Sequence, residues 1–135
     1  MNLVFADTQF FVGIINPHDQ WHEQALLAEG NLVAPRYVTS ESVLTEVLTF
    51  FCEYGPELRL RSAAAVEMIL GDPNTEVVSI TSQIFNDGLR LYKERPDKGY
   101  SLTDCISMNI SRERGITDVL SGDPHFRQEG FILLM

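Results

Sequence analysis

The sequence predicts an α/β fold, a three-layer α/β/α domain around a central parallel sheet. Three observations predict it. Short apolar or β-branched runs alternate with longer segments of helical periodicity from one end of the chain to the other. Most helical segments are framed by capping or stop residues. No internal repeat, low-complexity tract or linker interrupts the alternation. A strand followed by a helix and another strand implies parallel pairing, because the helix carries the chain back to the same end of the sheet. Such crossovers are right-handed by default.

Taken in order, Asn2 to Ala6 is a short apolar run and reads as a buried strand. Asp7-Thr8 offers a cap to a short helix whose face is Phe10, Phe11, Ile14 and Ile15, and Asn16-Pro17 ends it. Asp19 caps a second helix that carries Trp21, Ala25, Leu26 and Leu27 and stops near Gly30. Leu32 to Val38 is strand-like, with Pro35 pointing to a sheet edge or a break. Ser40 caps a strong helix with Val43, Leu44, Val47, Leu48 and Phe51 at helical spacing and Gly55-Pro56 as its stop.

A further helix is expected over Glu57 to Leu70, a strand over Glu76 to Ile80 and a helix from Thr81 to Lys93. The loop through Pro96, Asp97 and Gly99 leads to a helix from Leu102 to Arg114, stopped by Gly115. Ile116 to Leu120 is a strand, Asp123-Pro124 opens a single helical turn, and Phe131 to Met135 is the last strand.

The 135 residues with 44% apolar content bury one sizeable core, so residues 1–135 are expected to form a single domain. The longest apolar runs, such as Phe10 to Ile15, fall far short of the roughly 20 residues of a membrane-spanning helix. The N-terminus lacks the pattern of a secretion signal and carries Asp7 where its apolar core would lie, which points to the cytoplasm. Cys52 and Cys105 sit singly in apolar helical patterns and read as buried thiols, with no disulfide framework or thiolate zinc site. A formal charge of −9 counts against a long basic groove for nucleic acid. Affinity for a polyanion must then come from metal ions, local basic residues or a partner.

Ligands of an open parallel sheet bind beyond the C-terminal ends of its strands. Asp7 follows the first strand, Asp123 follows the strand ending at Leu120, and Asp104 lies in the first turn of its helix. Glu46 is singled out by angle. At ~100° per residue from Val43, Val47, Phe51 and Leu44 fall near 40°, 80° and 100° and Glu46 near 300°, at the border of the apolar arc. Each acid has an ordinary reading too. Asp7 and Asp123 suit helix caps, Ser101-Leu102-Thr103-Asp104 resembles a capping box, and Glu46 suits the rim of a core. Anionic groups that converge repel one another unless protons or cations compensate; a divalent metal does this, and oxygen donors favour Mg2+ or Mn2+ over zinc.

Four segments carry a family resemblance. They are Phe5-Ala6-Asp7-Thr8, Ser40-Glu41-Ser42-Val43-Leu44-Thr45-Glu46-Val47, Tyr100-Ser101-Leu102-Thr103-Asp104-Cys105 and Ser121-Gly122-Asp123-Pro124-His125-Phe126. In this order they resemble the PIN-domain family, particularly its small bacterial VapC-like toxin ribonucleases. The resemblance places metal-binding, catalytic acids on Asp7, Glu46, Asp104 and Asp123, with Thr8 and Ser121 as hydroxyls contacting substrate or supporting the acids. It implies a parallel sheet of about five strands, cleavage of single-stranded RNA by metal-activated water, a small antitoxin protein as partner, and a homodimer. Gln9 stands where many relatives carry a small hydroxyl or amide residue.

Two other readings compete. Asp7 as the nucleophile of a phosphoryl-transfer domain lacks a second aspartate two residues on, where Gln9 stands. A non-catalytic PIN-like interaction module would suit the acidic charge, but all four acids are present. Arg90, Lys93, Arg95 and Lys98 form the one local basic run, read either as a solvated helix end or as a phosphate guide toward Asp104. His18 and His22 have a helical ligand spacing with no further ligand nearby. Trp21 reads as a core or interface aromatic, His125 as a side chain packed beside Phe126, and Phe50 with Phe51 as a candidate contact surface.

Overall fold

A computed structural model describes residues 2–135. Five strands, β1 (Asn2–Ala6), β2 (Pro35–Ser40), β3 (Thr75–Val78), β4 (Asp118–Leu120) and β5 (Ile132–Leu133), form one sheet in the order β3-β2-β1-β4-β5. Every neighbouring pair is parallel. The helices are α1 (Thr8–Ile15), α2 (His22–Asn31), α3 (Glu41–Phe51), α4 (Pro56–Gly71), α5 (Ser82–Glu94), α6 (Leu102–Glu113) and α7 (Pro124–Gln128). The expected α/β class with a five-stranded parallel sheet flanked by helices is what the chain adopts.

Local chemistry accounts for most element ends. Ser40, Thr81 and Ser101 accept the backbone N–H of Val43, Ile84 and Asp104 and start α3, α5 and α6. Gly115 closes α6 with φ of +67°, a left-handed conformation that is costly for a residue with a Cβ. The core is built on side chains with almost no exposure, among them Phe5, Phe51, Met108, Ile110, Leu120 and Phe126. Burial of each contributes about 1.5–3 kcal/mol. Helix α5 lies so close to α6 that a Cβ on Gly88 would stand 2.6 Å from Ile106 Cγ1.

Three expectations need correction. Pro35 does not mark an edge: β2 lies between β3 and β1, and Pro35 occupies its first position opposite Asn2, where a proline is tolerated. Leu26 and Leu27 on α2 are 48% and 66% exposed, and the helix packs instead through Ala25 and Ala28, whose small side chains allow α1 to approach. Cys52 is exposed because it follows the last turn of α3, whereas Cys105 is buried as expected.

The strand order fixes where a site can form. From β1 the chain builds outward through β2 to β3, then returns to the other side of β1 for β4 and β5. The order therefore reverses between β1 and β4, and the crevice beyond the C-terminal ends of these two strands is the topological switch point. Register brings the ends together, since Ala6 pairs with Leu120 and the Asp7 N–H donates to the Leu120 carbonyl at 3.2 Å. The residues that follow, Asp7 and Ser121 to Asp123, open into this crevice.

Candidate active site

A cleft of about 520 Å³ lies at the switch point, and Asp7, Glu46, Asp104 and Asp123 all line it. Thr8, Gln9, Trp21, Phe50 and Gly122 contribute to its walls. The four acids arrive from the end of β1, the middle of α3, the first turn of α6 and the loop after β4. Convergence, the property that single-residue capping readings leave unexplained, is thus a feature of the fold.

Each carboxylate is oriented by a donor. Ser121 Oγ donates to Asp7 Oδ2 at 2.9 Å, and Thr8 Oγ1 donates to Glu46 Oε1 at 2.5 Å. The Ser101 N–H donates to Asp104 Oδ2 at 3.0 Å, completing a capping box with the Ser101 hydroxyl. The His125 N–H donates to Asp123 Oδ1 at 3.0 Å. Capping and membership of the cleft coexist in Asp104 and Asp123, because one oxygen serves each cap. Asp7 differs: it holds the cap position of α1 but its side chain makes no capping bond.

Asp7 carries the strongest sign of strain. It is 5% exposed, and its Oδ1 is buried with no hydrogen-bond partner. Such an orphan acceptor forfeits its hydration without replacement. Burial, reinforced by the neighbouring charges of Asp104 and Glu46, pushes the Asp7 carboxyl up to about 7 against the bonds from the Thr8 backbone and Ser121. Asp104 is raised as well, first by burial and then by the charge of Asp123, while its Ser101 and His125 contacts oppose the rise. Electrostatic coupling therefore runs from Glu46 through Asp7 and Asp104 to Asp123. A divalent cation would relieve all of it, and an unpaired buried oxygen among oxygen donors suits such an ion.

The tightest donor group is not the four acids. Asp104, Asp123 and His125 each offer an atom within 4.8 Å of the others, and this is the one such group among the described residues. Asp7 and Glu46 line the same cleft outside that group. His125 turns its Nδ1 toward Asp104 Oδ2 at 3.2 Å and Asp123 Oδ1 at 3.3 Å and meets the Tyr100 ring edge-on, so its role is not limited to packing beside Phe126. The Asp-Pro-His spacing, one residue between acid and imidazole, was the available signal.

The loop after β4 is held by a short relay. Ser121 Oγ accepts the Asp123 N–H at 3.0 Å while donating to Asp7, and Gln9 Oε1 accepts the Gly122 N–H at 2.7 Å. Trp21 closes over Gly122, where an added Cβ would come within 2.6 Å of the indole ring. Glycine is required there by that approach. Trp21 is therefore a wall of the cleft.

The basic run contributes less than the phosphate-guide reading requires. Arg95 pairs with Glu129 Oε2 at 3.0 Å, Arg90 lies 3.4 Å from Asp87, and Lys98 lies 3.9 Å from Asp97. Glu129, with a side chain only 7% exposed, also binds Arg112 at 2.7 Å and the Tyr100 hydroxyl at 2.9 Å. The Glu129 cluster ties the end of α7 to α6 and to the loop before it. His22 Nδ1 is engaged with the Gly13 carbonyl at 2.6 Å, and neither His18 nor His22 belongs to a group of three or more candidate ligands among the described residues.

Comparison with known proteins places this geometry. The chain is 25% identical over 133 residues, 96% of each chain, to the 23S rRNA-specific endonuclease VapC20 of Mycobacterium tuberculosis. The crystal structure of that protein, described as a sarcin-ricin loop cleaving toxin, superposes with a TM-score of 0.85 at 22% identity over 96% of both chains. The fold also matches FitAcB from Neisseria gonorrhoeae, with a TM-score of 0.67 at 12% identity over 96% of this chain and 95% of that one. VapBC2 from Rickettsia felis, crystallised with a DNA fragment from its promoter, gives 0.62 at 16% identity over 97% and 96%. The family model for the PIN domain matches residues 4–131, and this chain accordingly belongs to the PIN domain family.

Proposed function

We propose that this chain is a metal-dependent endoribonuclease that cuts single-stranded RNA and serves as the toxin of a toxin–antitoxin pair. The observation that carries the reading is the unpaired buried oxygen of Asp7 at the centre of four mutually repelling carboxylates. Asp7, Glu46, Asp104 and Asp123 are the residues that would hold Mg2+ or Mn2+. An ion held there would supply positive charge for the scissile phosphate and would lower the pKa of a water, the nucleophile for in-line attack on phosphorus.

The chain's own groups prepare that chemistry. Thr8 and Ser121 fix the orientation of Glu46 and Asp7 by donating to one oxygen of each, leaving the other directed to a ligand. Gln9 holds the Gly122 backbone and so the position of Asp123. Trp21 and Phe50 line the same cleft and offer aromatic faces to unstacked bases, which favours single-stranded over duplex substrate. Cleavage leaves a 5′-phosphate and a 3′-hydroxyl.

The similarity along 96% of the chain to a 23S rRNA-specific endonuclease makes an exposed ribosomal RNA loop the first substrate to assay. An antitoxin has a place to bind in a separate apolar groove of about 320 Å³ lined by Phe10, Ile14, Tyr37, Met68 and Ile69. A homodimer would cover the exposed stripe of Phe85, Leu89 and Tyr92 on α5. No helix among the described residues is long and apolar enough to cross a membrane. A cytoplasmic location is part of the proposal, because that is where an RNA substrate would be met. The test is cleavage of a mixed RNA pool with Mg2+ or Mn2+, beside a chelator control and Asp104→Asn. Equal cleavage by wild type and variant, or in chelator, removes the reading.

A further inference from the structure

The imidazole of His125 is set into the acidic cluster rather than beside it. Its Nδ1 stands 3.2 Å from Asp104 Oδ2 and 3.3 Å from Asp123 Oδ1, and the three residues can each present a donor within 4.8 Å of the others. The ring is held on several sides. Its own backbone N–H is bound to Asp123 Oδ1 at 3.0 Å, and the Tyr100 ring packs edge-on with centroids 5.3 Å apart. The side chain is 30% exposed, enough for exchange of a ligand and too little for free rotation into solvent. Independently, Asp7, which lines the cleft beside Asp104 and Asp123, carries a buried oxygen with no hydrogen-bond partner, a sign that these acids are completed by something the protein itself does not supply.

We propose that His125 Nδ1 is a metal ligand, which makes the centre a mixed nitrogen–oxygen site biased toward Mn2+, and further toward Co2+, over Mg2+. The inference rests on the reading of the cleft as a metal centre and adds to it the kind of ion preferred. A neutral imidazole presents a lone pair of intermediate softness. Mg2+ prefers oxygen and keeps its waters, so it gains little from that nitrogen, whereas Mn2+ and the later divalent ions gain progressively more. Ligation through Nδ1 leaves the ring proton on Nε2, which faces the Gly99 turn at 3.9 Å from a Cβ position there. A contrary arrangement is a ring whose Nδ1–H donates to Asp104 and Asp123 and occupies their oxygens, which an arriving ion would have to displace.

The two arrangements predict opposite signs. The experiment titrates the full chain with Mn2+ and separately with Mg2+ by calorimetry, and records pulsed electron paramagnetic resonance of the Mn2+ complex. In wild type, Mn2+ shows hyperfine coupling to an imidazole 14N. In His125→Gln that coupling disappears and Mn2+ affinity falls by ~10-fold or more, the scale on which metal-site supports act. Mg2+ affinity changes by less than ~3-fold, because an oxygen-preferring ion loses little. His125→Asp restores a charged oxygen donor and lowers the Mn2+/Mg2+ affinity ratio below that of wild type. Bound Mn2+ without 14N coupling, or tighter Mn2+ binding by His125→Gln, overturns the ligand role and leaves the metal centre standing. Wild-type protein that binds neither ion overturns both.

Discussion

Ser121 donates its hydroxyl hydrogen to Asp7 Oδ2 across a separation of 114 residues, and the same oxygen accepts the Asp123 N–H. One fully buried hydroxyl thus sets the orientation of two acids on neighbouring strand ends. Ser121→Ala leaves the Asp7 carboxylate with the Thr8 backbone bond as its remaining support and the Asp123 N–H without its acceptor. The expected result is a stability loss of roughly 1–3 kcal/mol from the unsatisfied groups. Mn2+ affinity is expected to fall by about 10- to 100-fold from the lost support. Chemical denaturation without metal and calorimetric titration with it measure the two effects separately.

Asp7 makes the metal-free protein less stable as pH rises. Its carboxyl is about 7 in the folded chain against 3.8 for the ordinary group, so between these values the folded state binds the extra proton. Stability falls with pH wherever the folded state holds more protons than the unfolded. The penalty is absent below about pH 4, grows through the interval and is complete above about pH 7. Its upper bound is about 4 kcal/mol at 1.36 kcal/mol per unit. In chelator, Asp7→Asn should be the more stable protein at pH 8 and nearly equal to wild type at pH 4. With Mn2+ the order at pH 8 should reverse or narrow, because only the carboxylate is stabilised by the ion. Melting curves at the two pH values, with and without Mn2+, decide it.

What the sequence disclosed followed the range of the underlying interaction. Asp7, Asp104 and Asp123 were legible because strand ends and helix starts are local signals, and Glu46 because angle along a helix is local geometry. The caps at Ser40 and Ser101 were legible for the same reason, whereas Thr81, expected as the first residue of its helix, is its cap. His125 was not, since its relation to Asp104 spans 21 residues and depends on how α7 sits against α6. Glu129 was invisible because its partners Arg95, Tyr100 and Arg112 come from other elements. Of the two readings of Pro35, the edge fails because a local rule cannot see where topology places a strand, while the break agrees with β2 starting at Pro35 rather than at Leu32.

Glu129 opposes Asp7 in its pH dependence. Arg95, Arg112 and Tyr100 hold its carboxyl down to about 2 from 4.5 against the effect of burial. The unfolded state therefore takes up protons first as pH falls, and the stabilisation present above pH 4.5 is lost on the way to about pH 2. The contributions of Asp7 and Glu129 thus slope in opposite directions with pH, one falling above 3.8 and the other falling below 4.5. Glu129→Gln removes the charge that joins α7 to α6 and should cost roughly 2–3 kcal/mol, less than a deeply buried pair because both arginines reach solvent. The variant should also show a shallower fall in stability below pH 4.5, since Asp72 and Glu76 keep their own lowered carboxyls, which a denaturation series from pH 3 to pH 6 tests.

Trp21 is the one tryptophan of the chain and it lines the acidic cleft, so its fluorescence reports on the site. Gly122→Ala places a Cβ 2.6 Å from the Trp21 ring and 3.1 Å from Gln9 Oε1. Neither can stay: the rigid indole must tilt outward, and Gln9 must lengthen its bond to the Gly122 N–H. The expected cost is about 1–3 kcal/mol of overpacking, with emission shifted to the red as the ring meets water. Paramagnetic Mn2+ bound among the acids should quench Trp21 in wild type, where Mg2+ should not. In Gly122→Ala the quenching should weaken and RNA cleavage should fall, since both Asp123 and the aromatic wall have moved. Unchanged emission in a folded variant would show that Trp21 does not rest on Gly122. Undiminished Mn2+ quenching would mean that the ring's displacement leaves the ion's surroundings untouched, separating the aromatic wall from the acids it faces.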